Sequence, residues 1–140
     1  MYSISKKIFI EKQVAVVKNT FTNAEIGNSA EVKFKCCNCE HENIVKITPY
    51  ESGFPIFQLY NNEKVLTKNE LLNSKIVSLT SRNLLHFGEL TVNDLPTLYF
   101  GTDCPSCHSK YVCVFSYGEK QPGLTLLTIS GVWKYNEIQK

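Results

Sequence analysis

The alternation of apolar and polar positions predicts strands along most of the chain and helix at few places. Glu31-Val32-Lys33-Phe34-Lys35 alternates strictly, and Asn43-Ile44-Val45-Lys46-Ile47-Thr48 is a second β-rich run. With cysteines between them, the two read as strand, turn, strand. Leu98-Tyr99-Phe100 and Lys110 to Tyr117 bracket a second cysteine cluster in the same way. Upstream, Lys7 to Lys18 carries Ile8, Phe9, Ile10 and Val14 to Val17, suited to one bent strand or two short ones. Thr20 to Ser29 is polar, with Asn23, Gly27 and Asn28, and reads as a loop. Gly118 to Gly123 is a turn-rich loop, followed by a last strand from Leu124 to Trp133 and a polar tail from Lys134 to Lys140.

The middle of the chain is mixed. Phe54 to Tyr60 and Val65-Leu66 flank Asn61-Asn62, a pair that tolerates left-handed backbone, so a hairpin is expected there. Thr67-Lys68-Asn69-Glu70 has capping-box spacing ahead of Leu71-Leu72 and predicts one short helix. Ile76 to Thr80 returns to strand composition, while Arg82 to Leu90 fits either type.

Six cysteines in 140 residues are the compositional excess. They fall as Cys36-Cys37-Asn38-Cys39, Cys104-Pro105-Ser106-Cys107 and Cys113. Lys6-Lys7 precede Ile8-Phe9-Ile10, but Glu11-Lys12-Gln13 cut that run short of a signal peptide, so a cytoplasmic location is expected. In a reducing compartment, paired C-x-x-C motifs point to metal rather than to disulfides. Two such turns supply four thiolates to one cation, a shell that suits a single structural zinc held by Cys36, Cys39, Cys104 and Cys107. Such a shell leaves no open position for water or substrate. Cys37 is read as pointing away from the metal, and Cys113 as a buried free thiol. His41 and His108 lie close enough to substitute for a thiolate, although surface or supporting placement is the simpler reading. His86 is read as an ordinary core or surface histidine.

These knuckles and their flanking strands resemble the zinc-ribbon (rubredoxin-like) group, whose two β-hairpin knuckles clamp one zinc. The resemblance rests on Cys36, Cys39, Cys104 and Cys107 and covers about residues 30 to 50 and 96 to 118. It implies a mainly β fold, or a β-rich α+β one, in which two zinc-knuckle hairpins join across one zinc. A compact ribbon separates its knuckles by roughly 15 to 20 residues. Here 64 lie between Cys39 and Cys104. Either a subdomain, residues 49–96, is inserted into a single domain of residues 1–140, or the knuckles are outgrowths of a larger sheet.

Composition narrows the function. A 43% hydrophobic, 20% charged chain is an ordinary globular balance, and no apolar run approaches the roughly 20 residues of a spanning helix. A formal charge of +2 does not by itself imply a nucleic acid or membrane partner. The chain lacks G-x-S-x-G, the phosphate-binding G-x-x-x-x-G-K-[ST] and H-E-x-x-H, so a non-enzymatic role is expected. The leading expectation is a protein–protein interaction module: an adaptor, an immunity-type inhibitor or an assembly subunit. The segment between the knuckles and the loop at Gly118 to Gly123 are its expected partner-facing surface; Phe54, Phe57, Tyr60 and Phe87 either fill the core or anchor the partner, with core filling expected for at least half of them. Nucleic-acid binding is the alternative, through Lys33, Lys35, Lys46 and Lys110 with Phe34 and Tyr111. Against it stand Glu31, Glu40, Glu42 and Asp103 in the same segments. Thiol redox chemistry at Cys104 and Cys107 is the third reading, although the strand-like residues that follow do not supply the helix N-terminus that activates such a thiolate.

Overall fold

A computed structural model describes residues 1–15, 19–22, 29–48 and 51–138. Its strands are β1 (Ile8–Ala15), β2 (Asn19–Thr22), β3 (Ala30–Lys35), β4 (Glu42–Ile47), β5 (Phe54–Pro55), β6 (Ser78–Leu79), β7 (Leu90–Thr91), β8 (Thr97–Asp103), β9 (Lys110–Gln121) and β10 (Leu124–Glu137). The helices are α1 (Phe57–Tyr60) and α2 (Lys68–Asn73), with 3-10 turns at Asn61–Glu63 and Arg82–Phe87. The fold is thus β-rich, as the alternation predicts.

The long hairpin of β9 and β10 organises the rest. β8 pairs antiparallel with β9, and β5 with β8. Along the other edge of β10, β1 lies against Val132 to Glu137 and β2 against Leu126 to Ile129. Both faces of this sheet are covered, so Tyr111 to Ser116 of β9 is a continuous buried run. On one face Tyr111, Cys113 and Phe115 meet Ala30, Val32, Phe34 and Ile47 of the separate β3–β4 hairpin. On the other, Val112 and Val114 meet Ile56, Leu59, Leu66, Leu71 and Ile76 from the segment that joins β5 to β7.

One extra residue keeps β10 in step with both layers. The register passes from Ile129 opposite Phe115 to Gly131 opposite Val114, leaving Ser130 as a bulge. Before it Leu127 and Ile129 face the β3–β4 hairpin, and after it Val132 does so while Trp133 and Tyr135 join the opposite core. Without the bulge the later side chains would exchange faces. Ser130 is itself buried, and its hydroxyl donates to the Ile76 carbonyl at 2.7 Å.

Several local expectations change. Instead of the expected hairpin, Phe54-Pro55 pairs with β8 and Phe57 to Glu63 forms α1 and a 3-10 turn, because Ile56, Leu59 and Tyr60, spaced three and four apart, bury together on one side. Asn62 does adopt left-handed backbone, φ 56°, but inside that turn. The predicted capping box is present: Glu70 N–H donates to Thr67 Oγ1 at 3.1 Å, and Thr67 N–H to Glu70 Oε1 at 3.0 Å. The loop expected at Gly118 to Gly123 shrinks to a turn at Pro122-Gly123, because β9 runs on to Gln121. Likewise the expected loop at Thr20 to Ser29 begins with β2, where pairing with β10 overrides polar composition, and Asn23 to Asn28 lie outside the described residues. Val16 to Lys18 and Pro49 are outside them as well. The polar tail is strand as far as Glu137, held by pairing with β1.

Deleting Ser130 is expected to abolish the cooperative thermal transition, since it moves Val132, Trp133 and Tyr135 to the wrong faces. Ser130→Ala keeps the residue count and is expected to cost about 1–3 kcal/mol in denaturant unfolding, the range for stranding a buried hydrogen-bonding group.

Candidate metal centre

Each C-x-x-C closes the tip of one hairpin, and the two tips are built alike. Cys36 N–H donates to the His41 carbonyl at 2.9 Å, and Glu40 N–H to the Cys36 carbonyl at 3.0 Å. In the second tip Cys104 N–H donates to the Ser109 carbonyl at 2.8 Å, and His108 N–H to the Cys104 carbonyl at 2.8 Å. The residue after the second cysteine takes left-handed backbone in both, Glu40 at φ 62° and His108 at φ 64°. That conformation lets the chain reverse so that both thiols of a tip point the same way.

The tips meet because the β3–β4 hairpin lies across the face of β9. Phe34 packs on Tyr111 with ring centroids 4.9 Å apart, immediately below the cysteines. The sulfurs of Cys36, Cys39, Cys104 and Cys107 consequently all lie within 4.8 Å of one another. Cys36 Sγ is 3.4 Å from Cys107 Sγ, and Cys39 Sγ is 3.6 Å from Cys104 Sγ. A disulfide would need about 2.05 Å. Four sulfurs bound tetrahedrally at about 2.3 Å would sit about 3.8 Å apart, close to these values. The four cysteines are therefore positioned to hold a metal ion.

Hydrogen-bond donors surround the sulfurs. Tyr111 Oη–H donates to Cys36 Sγ at 3.0 Å, and Asn38 N–H approaches the same sulfur at 3.4 Å. Ser109 Oγ lies 3.1 Å from Cys107 Sγ. Burial works against a charged Cys36, but the Tyr111 hydroxyl and the backbone amides outweigh it and bring its pKa down to about 5. Cys39 receives a favourable backbone hydrogen bond at the His41 position, yet desolvation and its three sulfur neighbours prevail and push it up to about 11. Cys107 is lowered, chiefly by Ser109. Without a cation, negative charge on the cluster thus favours Cys36 and Cys107 over Cys39, the three thiols being coupled.

The remaining sequence candidates fall elsewhere. Cys37 is exposed, and its N–H donates to Tyr111 Oη at 3.1 Å. Cys113 is buried in the core under the β3–β4 hairpin, where desolvation raises its pKa. Neither His41 nor His108 contributes a ring nitrogen to the cluster, and His86 is an exposed residue whose ring lies tilted beside that of Phe87, centroids 4.1 Å apart. Phe34 and Tyr111 cannot stack on bases, because both are buried against each other. Opposite charges also face one another across the β3–β4 hairpin, Glu31 with Lys46 and Glu42 with Lys35. Lys110 lies 3.9 Å from Asp103. Sequence reasoning missed the hydroxyl of Tyr111; the two-residue period linking it to buried Cys113 and Phe115 was the available signal.

Glycine in place of Glu40 or His108 is expected to raise the melting temperature, each relieving about 1 kcal/mol of left-handed backbone strain. The metal-free protein should also show a specific pH dependence. Cys36 is depressed from its ordinary 9.0, so its contribution is full above that value and is lost as pH falls to about 5. The raised Cys39 acts oppositely, its contribution being lost as pH climbs to about 11. Melting temperature should rise from pH 5 toward 9 and then fall, and Cys36→Ser should flatten the rising limb.

No protein-family model, curated protein or solved structure matched this chain, so what points to a metal is the four-cysteine cluster itself.

Proposed function

We propose that the chain is a non-enzymatic binding module, stapled by one structural zinc at Cys36, Cys39, Cys104 and Cys107, with another protein as its partner. The four-sulfur cluster is the observation that carries this reading. Soft thiolates at tetrahedral spacing select zinc over harder cations, and four of them leave no coordination position for a substrate. The redox alternative is weakened by β9, which follows Cys107 as a strand and supplies no helix dipole to activate a thiolate.

The partner reading is supported on the face remote from the β3–β4 hairpin. Here a groove of about 590 Å³ runs between α1 and the turn at Arg82–Phe87, lined by Phe57, Tyr60, His86 and Phe87 among others. Phe57 is 54% exposed although it stacks edge-on against Tyr60 at 5.4 Å. Lys68 and Glu89, also in the lining, pair with each other at 2.8 Å and leave the groove little net charge. Exposed aromatic rings in a concavity are the usual anchors of protein interfaces. Nucleic acid, by contrast, needs clustered charge of one sign, which the Glu31–Lys46 and Glu42–Lys35 pairings oppose.

Protein purified without chelator is expected to carry one zinc per chain by elemental analysis, and stripping it should unfold the knuckles. Phe57→Ser combined with His86→Ala should abolish capture of a protein in a native pull-down while zinc content and melting stay unchanged. Co-purification of nucleic acid instead, with affinity falling steeply as salt is added, would contradict the partner class.

A further inference from the structure

We propose that Tyr111 is a positioning residue for the metal centre, a hydroxyl that locks the Cys36 thiolate from the opposite knuckle and so sets how long the ion is retained; this rests on the metal reading above. Tyr111 lies on β9, two residues after Ser109, and therefore belongs to the strand that leaves the second tip. Its ring is fully buried and packs against Phe34 of the first hairpin. Burial fixes the ring, and three contacts surround the hydroxyl: it accepts from Cys37 N–H at 3.1 Å, donates to Cys36 Sγ at 3.0 Å and lies 3.6 Å from Cys37 Sγ. With the acceptor side occupied by an amide, the hydroxyl proton is directed at the nearer sulfur, Cys36 Sγ at 3.0 Å rather than Cys37 Sγ at 3.6 Å.

The device is confined to one tip. Pro105 occupies the position equivalent to Cys37 and has no N–H to offer. Cys107 is instead approached by Ser109, an intermediate, partly solvated residue of its own tip. Cys36 takes a hydroxyl from across the 64-residue span, whereas Cys107 takes its hydroxyl from Ser109 of its own tip and only a side-chain amide, that of Asn38, from across the gap. A hydrogen bond to a metal-bound thiolate withdraws electron density from sulfur and restrains its direction, and loss of such outer partners typically weakens metal sites by about 10–100-fold.

Tyr111→Phe retains the buried ring and removes only the hydroxyl. The test measures metal content, the rate of zinc release to excess chelator, and the sulfur-to-metal charge-transfer band of the cobalt-substituted protein. Tyr111→Phe is expected to bind one ion, release zinc about 10–100-fold faster, and shift the cobalt band to lower energy as the thiolate becomes more electron-rich. Phe34→Leu, which loosens the same packing without touching the hydroxyl, should lower the melting temperature and leave the band in place. Cys37→Pro, a residue the second tip already accommodates at Pro105, deletes the N–H that aims the hydroxyl and should speed release in the same direction. It also decides the question if Tyr111→Phe does not fold. An unchanged band and release rate in a variant that binds metal would overturn the role of Tyr111 alone. A wild-type chain without stoichiometric metal would overturn the metal reading together with it.

Discussion

The structure depends on bringing four sulfurs to one point from two hairpins that are distant in sequence. Closing a loop of 64 residues costs chain entropy that grows only slowly with length, so a span of this size is tolerable once the closure is secured. Packing secures it in part, and an ion held by the four sulfurs would add a second contribution. Val32, Phe34 and Ile47 bury against the central sheet, each worth about 1.5–3 kcal/mol before the entropy of ordering is counted. Structural zinc in small peptides contributes on the order of 10 kcal/mol or more, comparable with the net stability of a whole domain. Side-chain packing can seat the β3–β4 hairpin, whereas the tip, where Cys39 is exposed, would be held by an ion bound to the four sulfurs.

The three-layer arrangement follows from the same closure. β9 must place Tyr111 and Cys113 against the first hairpin while offering Val112 and Val114 to the intervening segment. A strand buried on both faces needs apolar residues at every position, which is what Tyr111 to Phe115 provides. The bulge at Ser130 then corrects the parity of β10 so that Trp133 and Tyr135 fill the second core. The intervening segment is thereby held on the face away from the metal, leaving its aromatic groove accessible.

The hairpins and their cysteines were legible because both signals are local: a two-residue alternation on either side of a C-x-x-C. The capping box at Thr67 and Glu70 was legible for the same reason. What escaped was set by contacts between distant residues. β2 is polar and becomes a strand only because β10 offers it an edge. Ile56, Leu59 and Tyr60 read as part of an apolar run, and the sheet beneath them selects the helical spacing. Tyr111 entered only as a candidate for stacking on bases, because nothing local shows that Cys36 and Cys37 arrive above its hydroxyl. The left-handed residues Glu40 and His108 were equally hidden, since glycine, the usual marker of that conformation, is absent from both tips.

X-ray absorption at the metal edge of the purified, chelator-free protein tests the central claim most directly. The account predicts a zinc edge whose first shell contains four sulfurs at about 2.3 Å and no nitrogen or oxygen. A shell with nitrogen or oxygen ligands, or with fewer than four sulfurs, would contradict the closed tetrathiolate on which the fold is argued to depend.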